Sequence, residues 1–184
     1  MAFKDNILTF SDTQIFDTAG GVEVMMTWEA PIMEKVAEFI CHNSGDILEI
    51  GFGMGICSDY IQAQGVNSHT IIEIHPQVLE RLNTWASGKS NVTIIEGDWN
   101  TVSGLSTYDG IFLDTFGDES LDNFKTFALS KVKSGGKITY WNNEEREDNL
   151  YSFDSVSYEQ ISVSPDSNIY TNIQDNYHMP QVEI

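Results

Sequence analysis

Three glycines separated by single residues, Gly51-Phe52-Gly53-Met54-Gly55, follow the apolar run Ile47, Leu48 and Ile50. A second apolar run ends on an acid, Ile71-Ile72-Glu73. Glycines let backbone approach a ligand closely, and an acid about 20 residues further on can accept hydrogen bonds from ribose hydroxyls. Asp98-Trp99 places an acid beside an aromatic. That pair suits adenine, one accepting from the exocyclic amine and the other stacking; a solvated acid and a core indole is the equal alternative. A pyrophosphate-binding turn needs the third glycine of G-x-G-x-x-G, which opens a helix N-terminus to the phosphates. Here Ile56 and Cys57 follow Gly55. Glu49 and Glu73 would also sit badly beside a pyrophosphate, yet they are compatible with a sulfonium and a ribose. The spacing therefore fits S-adenosyl-L-methionine, which has no phosphate, against the plainer reading of a structural tight turn.

These residues need elements to hold them. Ile32, Met33, Val36, Phe39 and Ile40 recur at helical spacing behind Pro31, predicting a helix over Pro31–Asn43. Strands are expected at Asp46–Ile50, His69–Ile74, Val92–Glu96, Gly110–Asp114 and Lys137–Trp141. Helices are expected at Gly55–Gln64, Pro76–Trp85 and Asp118–Val132, the last with Leu121, Phe124, Phe127 and Leu129 on its apolar face. Ser134-Gly135-Gly136 reads as a tight turn, and residues 1–20 as a polar, irregular segment ending at the break Ala19-Gly20-Gly21. Strands alternating with helices imply a parallel sheet covered on both faces, an α/β three-layer sandwich. Tyr158–Val163 and Tyr177–Ile184 have only a turn-rich stretch, Ser164-Pro165-Asp166-Ser167-Asn168, after the first of them, so they are expected to pair antiparallel at the C-terminal edge. Ligands of such sheets bind beyond the carboxyl ends of the strands. That rule collects Gly51–Gly55, Glu73 to His75, Gly97 to Trp99 and Asp114 to Gly117 at one rim.

Length and composition bound the partners. The chain has 184 residues, 41% apolar and 11% aromatic, enough for one domain with a sizeable core. Its net charge of -19 repels phosphate backbones, which argues against nucleic acid and fits a cationic or neutral substrate. A strongly solvated acidic surface accounts for the same number. Cys41 and Cys57 make neither a disulfide framework nor a metal cluster and read as buried thiols. No metal site is expected; His42, His69 and His178 show no constellation, and His75 reads as a turn residue before Pro76. The start Met-Ala-Phe-Lys-Asp has no apolar signal core, and no apolar run approaches the roughly 18 to 20 residues that span a bilayer. A cytoplasmic protein without a membrane partner is the expectation. The exposed antiparallel edge offers a surface on which a second copy could pair into a homodimer.

Five segments carry a resemblance: Val24-Met-Met-Thr-Trp-Glu-Ala-Pro-Ile-Met33, Leu48-Glu-Ile-Gly-Phe-Gly-Met-Gly55, His69-Thr-Ile-Ile-Glu-Ile-His-Pro76, Glu96-Gly-Asp-Trp99 and Tyr108-Asp-Gly-Ile-Phe-Leu-Asp-Thr-Phe-Gly117. With them the chain resembles the guanidinoacetate N-methyltransferases and the related protein-arginine (delta) N-methyltransferases, over about two thirds of its length. The resemblance implies a Rossmann-like class I methyltransferase, with residues 21–184 as a single methyltransferase domain behind the segment 1–20. It implies that Met25 and Met33 line the cofactor pocket and that Gly51, Phe52, Gly53, Met54, Gly55 and Ile56 surround the methionine moiety. It places Glu73, with Ile74 beside it, at the ribose, Asp98 and Trp99 at the adenine, and Asp114 near the cofactor. Glu29 and Asp114 match the two carboxylates that hold a guanidino group, on a small molecule or an arginine-containing protein.

Two acids suit that chemistry. Methyl transfer from a sulfonium is a displacement, so the nucleophile must sit in line with the sulfur–methyl bond at about 3 Å. A guanidinium is a poor nucleophile, its lone pairs delocalised and its pKa near 13. Two carboxylates can clamp it, aim the remaining nitrogen at the methyl, and take the released proton. Taken singly, Glu29 also reads as an acid in a helix first turn and Asp114 as a strand-end cap. After Trp141 the family pattern breaks. The stretch Trp141–Asn149 carries Glu144, Glu145, Glu147 and Asp148, and the loop that would bind a substrate carboxylate is not recognisable. A substrate with extra positive charge therefore fits better than an anionic one. A protein that binds S-adenosylmethionine or S-adenosylhomocysteine without methyl transfer is the other reading; a nicotinamide oxidoreductase is opposed by Glu49 and Gly55.

Overall fold

The computed structural model describes residues 3–117, 121–143, 147–165 and 173–184. Asp118 at the expected helix start, Glu144 and Glu145 of the acidic stretch, and the turn residues Asp166, Ser167 and Asn168 lie outside the described residues.

Seven strands form the main sheet: β4 (Asp46–Ile50), β5 (Ser68–Glu73), β6 (Val92–Glu96), β7 (Tyr108–Leu113), β8 (Val132–Tyr140), β9 (Ser157–Ser162) and β10 (Asn176–Glu183). Their order is β6-β5-β4-β7-β8-β10-β9. The first five run parallel, while β10 is antiparallel to both β8 and β9. This is the expected sheet with its antiparallel pair at one edge. Side chains alternate across it. Ile47, Ile71 and Phe112 face a core shared with helices α1 (Ala30–Ile40), α2 (Ile56–Ala63) and α3 (Pro76–Ala86). Leu48, Ile50, Ile72, Ile111 and Leu113 face a second core with Phe124 and Ala128 of helix α4 (Phe124–Lys131). No helix among the described residues is long and apolar enough to cross a membrane.

Three expectations need correction. The segment 1–20 is not irregular: β1 (Leu8–Phe10) and β2 (Gln14–Asp17) pair with β3 (Val22–Met26) in a small antiparallel sheet. Only Leu8, Ile15 and Asp17 of β1 and β2 are buried, so the strands are too short to announce a period. Asp17 accepts from Ala19 N and Gly20 N, and Gly21 takes φ 67°, so the supposed break is the turn of the β2–β3 hairpin. Ser134-Gly135-Gly136 lies inside β8, where the register with β7 jumps from Tyr108–Val132 to Gly110–Lys137. Gly135 N and Gly136 O bond to Ile184, so the glycines make an irregularity that ties down the C-terminal strand. Leu129 stands 43% exposed, off the buried face that Phe124 and Ala128 supply.

At the foot of the sheet Lys133 Nζ lies 2.7 Å from both Asp46 and Asp109 carboxylates. The Lys133 contact, with Ser68 and Asn67, holds Asp46 down to about 2 from its ordinary 3.8. A depressed carboxylate stabilises the fold above its unfolded pKa, and that stabilisation is lost as pH falls toward the folded value. Denaturant titrations should therefore show stability falling from pH 4 to about 2 more steeply in the wild type than in Lys133→Met. Parallel pH slopes would remove this cluster from the acid response.

Candidate active site

The parallel strands end at one rim, and their pairing continues one residue past each strand. Gly51 N donates to Ile72 O, Asp114 N to Ile50 O, Gly97 N to Glu73 O and Trp141 N to Leu113 O, all at 2.8–2.9 Å. The glycine turn then leaves β4 directly over β7. A Cβ on Gly51, whose φ is 91°, would collide with the Asp114 carbonyl oxygen. A Cβ on Gly53 would strike the Met25 sulfur, and that sulfur accepts from Met54 N at 3.0 Å. The glycines thus let the turn lie against β7 and β3 at once.

Glu73 fastens the turn from the other side. Its carboxylate accepts from Phe52 N at 2.9 Å, Ile74 N at 2.8 Å and His75 N at 2.7 Å. Burial pushes its pKa up despite these three donors. His75 is a turn residue as expected: its Nδ1 accepts from Gln77 N at the start of α3, and its Nε2 meets Asn6 O at 3.2 Å. Phe52 lies under Gly55 and packs on Trp85, with ring centroids 5.4 Å apart.

These segments enclose a cleft of about 590 Å³, within the range of small-molecule sites. Met25, Met33, Gly51, Phe52, Gly53, Glu73, Ile74, Asp98, Trp99 and Asp114 all line it. Trp99 is mostly core: 3% exposed, it packs edge-on against Phe124 and Phe127. Asp98 accepts from Asn100 N through one oxygen. The structure does not bring Met54, Gly55 or Ile56 to this lining; Met54 faces a neighbouring groove beside Arg81 and Trp85, while Gly55 caps and Ile56 begins α2.

The two expected carboxylates differ in setting. Asp114, half-buried at the cleft, has its pKa pushed up to about 7 by desolvation, then by Glu49 and Glu73. Glu29 does not line the cleft. It is buried ahead of α1, and its Oε1 accepts from Met26 N at 2.7 Å. Both acids act on the buried Tyr177, whose hydroxyl accepts from Asn142 N at 3.0 Å and whose pKa burial drives far up.

The cleft also has lining residues that the sequence did not announce. Phe3 and Lys4 line it, the Phe3 ring tilted against His75 and Phe116 with centroids 5.1 and 4.9 Å away. Glu49, which the sequence had already set beside a sulfonium, reaches it from β4. His69, which showed no constellation in sequence, lies 2.8 Å from Glu49. Only the strand alternation that turns Glu49 away from Leu48 and Ile50 could have signalled this. Cys41 and Cys57 are free and buried, and burial pushes the Cys41 thiol up to about 12.

The five parallel strands with the antiparallel pair, and the glycine turn over β7, define a class I methyltransferase fold. Solved structures agree: the N-methyltransferase NodS from Bradyrhizobium japonicum WM9 superposes with TM-score 0.65 at 12% identity, covering 85% of this chain and 96% of that one. Spermidine synthase from Thermotoga maritima reaches 0.65 at 15% identity, over 96% and 72%. The chain belongs to the guanidinoacetate N-methyltransferase family, whose model matches residues 2–163. Curated relatives include protein arginine N-methyltransferase 2 of Saccharomyces cerevisiae, 35% identical over 73% of this chain and 36% of that protein. The Aspergillus fumigatus protein of the same name is 30% identical over 97% and 49%. The chain thus spans between a third and half of the length of these relatives.

Glu73→Gln should cost about 3 kcal/mol of stability, because an amide NH2 would face buried backbone donors. Urea unfolding checks this; a cost below about 1 kcal/mol would mean that the turn holds without the carboxylate.

Proposed function

We propose that the chain is an S-adenosylmethionine-dependent N-methyltransferase acting on a guanidino group, of a small molecule or of an arginine side chain. The observation that carries this reading is Asp114: a carboxylate poised near neutral pH, in the glycine-turn cleft of a member of this family.

The residues present fit the cofactor. Gly51 and Gly53 offer bare backbone to its methionine end, with Met25 and Met33 as an apolar wall. Glu73 uses three of about four carboxylate lone-pair sites on backbone N–H groups, which leaves one for a ribose hydroxyl. Asp98 and the edge of Trp99 would receive the adenine. Among the described residues that line the cleft, Glu49, Glu73, Asp98 and Asp114 stand against Lys4 as the single cation, which suits a sulfonium and opposes a pyrophosphate. Met54, Gly55 and Ile56 act through the shape of the turn, Gly55 at φ 80° opening α2.

Bound there, S-adenosylmethionine supplies an electrophilic methyl on a sulfonium. Asp114 accepts the N–H proton that the guanidino nitrogen sheds as it takes the methyl, the sulfur–carbon electron pair staying with sulfur. A base with pKa near the working pH serves this best. Glu29, held by Met26 N outside the cleft lining, takes no direct part in this step. The net charge of -19 favours a cationic substrate and disfavours nucleic acid. The proposed setting is the cytoplasm, and the edge strand β9 is a surface for pairing with a second copy.

Asp114→Asn should keep S-adenosylhomocysteine affinity within roughly tenfold, ~1.4 kcal/mol, while turnover nearly vanishes; calorimetry and a methyl-transfer assay read both, and normal turnover would remove Asp114 from the chemistry. Among guanidinoacetate, arginine, agmatine and an arginine peptide, the cationic compounds should be methylated in preference. Faster transfer to guanidinoacetate would overturn the charge argument. Tight S-adenosylhomocysteine binding with no transfer to any of them would support a binding protein, a reading that the withdrawal of Glu29 from the cleft favours.

A further inference from the structure

Asp114 stands at a boundary in the strand order. The ends of β4, β5, β6 and β7 border the cleft, and Asp114 follows β7. β8 lies on the other side of β7. Among the described residues, none from β8 or from Trp141–Asn143 lines the cleft. The pairing of Leu113 with Tyr140 sets Asp114 beside Trp141, and Trp141 N donates to Leu113 O at 2.8 Å. The chain then leaves the rim through the corner Trp141-Asn142-Asn143, where Trp141 Nε1 donates to Asn143 Oδ1 at 2.6 Å. With a cofactor on the β4 turn, in-line attack brings the nucleophile to Asp114 from the side opposite the sulfur. The corner after β8 stands on that side.

Tyr177 ties this corner to β10. The β8–β10 pairing reaches Ile138 with Val182, and Pro180 brings no N–H to carry it further. Toward the rim, side chains take over. Thr139 Oγ1 donates to Pro180 O at 2.6 Å and Asn142 Nδ2 to His178 O at 3.2 Å. The Tyr177 hydroxyl accepts from Asn142 N at 3.0 Å and turns its own proton toward Tyr140 O at 3.4 Å. Its ring centroid lies 5.1 Å from that of Trp141, in the core shared with α1. Tyr177 and Asn142 are both fully buried, so the hydroxyl, rather than solvent, satisfies this backbone N–H.

We propose that Tyr177 is a positioning residue for the guanidino substrate: its hydroxyl, bonded to Asn142 N, fixes the corner after β8 beside Asp114 and so sets how tightly that substrate binds. The proposal rests on reading Asp114 as the acid that meets the guanidino group. Tyr177 does not line the cleft, so it acts through Trp141 and Asn142 and leaves the cofactor side alone.

Tyr177→Phe keeps the buried ring and removes the hydroxyl. The probe is whichever of guanidinoacetate, arginine, agmatine and an arginine peptide the wild type methylates fastest. Calorimetry on the S-adenosylhomocysteine complex reads its affinity, and kinetics separate KM from kcat. Substrate affinity should fall about tenfold and KM rise to match, while S-adenosylhomocysteine binds within about twofold of the wild type. Asn142→Ala, which frees the corner from His178 O, carries the same expectation if the Phe variant does not fold. Thr139→Val cuts the neighbouring bond between the same two strands and should leave substrate affinity in place. Unchanged substrate affinity in Tyr177→Phe would overturn the proposal. An equal loss in Thr139→Val would make the strand joint as a whole the cause and overturn it too, as would an equal loss of S-adenosylhomocysteine affinity in Tyr177→Phe. Normal turnover by Asp114→Asn, or no transfer by the wild type to any of the four compounds, would overturn the reading of Asp114 and this proposal with it.

Discussion

The closeness of Gly51 to the Asp114 carbonyl sets everything else at the rim. Asp114 N bonds to Ile50 O, and the next residue must turn away over the end of β7 with no side chain in between. Only a residue without a Cβ, free to take φ 91°, can do both. The same contact brings a cofactor-shaped turn and an acid within one cleft. The turn has no freedom to drift, because Glu73 grips it through Phe52 N and Met25 packs beneath Gly53.

That crowding has an electrostatic consequence. Three strands each send a carboxylate to the cleft, Glu49, Glu73 and Asp114, and the site is dry enough that they feel one another. Glu73 and Glu49 are satisfied by donors from their own surroundings, backbone N–H groups for one and Ser58 with His69 for the other. No hydrogen bond from a described residue engages the Asp114 carboxylate, so it responds most to its neighbours. A positive charge bound there would relieve such a cleft.

Much of this was legible in the chain. Ile47, Leu48 and Ile50, and Ile71 with Ile72, put apolar residues on both faces because parallel strands are buried on both sides, and they marked β4 and β5 almost to the residue. The Gly51–Gly55 spacing, Glu73 and Asp98-Trp99 were legible because glycine conformations and strand-end positions leave local signatures. The first two strands were not. Their burial reduces to Leu8, Ile15 and Asp17, and their stability comes from pairing with β3. Phe3 in the cleft lining had no signal either; its partners His75 and Phe116 are about 70 and 110 residues away and meet it only in space.

By itself the sequence determined the alternation of strands and helices, the class of cofactor turn and the family, since these depend on periodicity and on residue types at short spacing. The tertiary structure alone decided how the acids are set against one another and their partners. It placed Glu49 and Asp114 together, moved Glu29 behind Met26, and set His69 and Ser58 under Glu49. Strand order is the physical reason. β4 lies between β5 and β7, which are 20 to 60 residues away along the chain, and the protonation of a carboxylate follows distance through space and the loss of water around it.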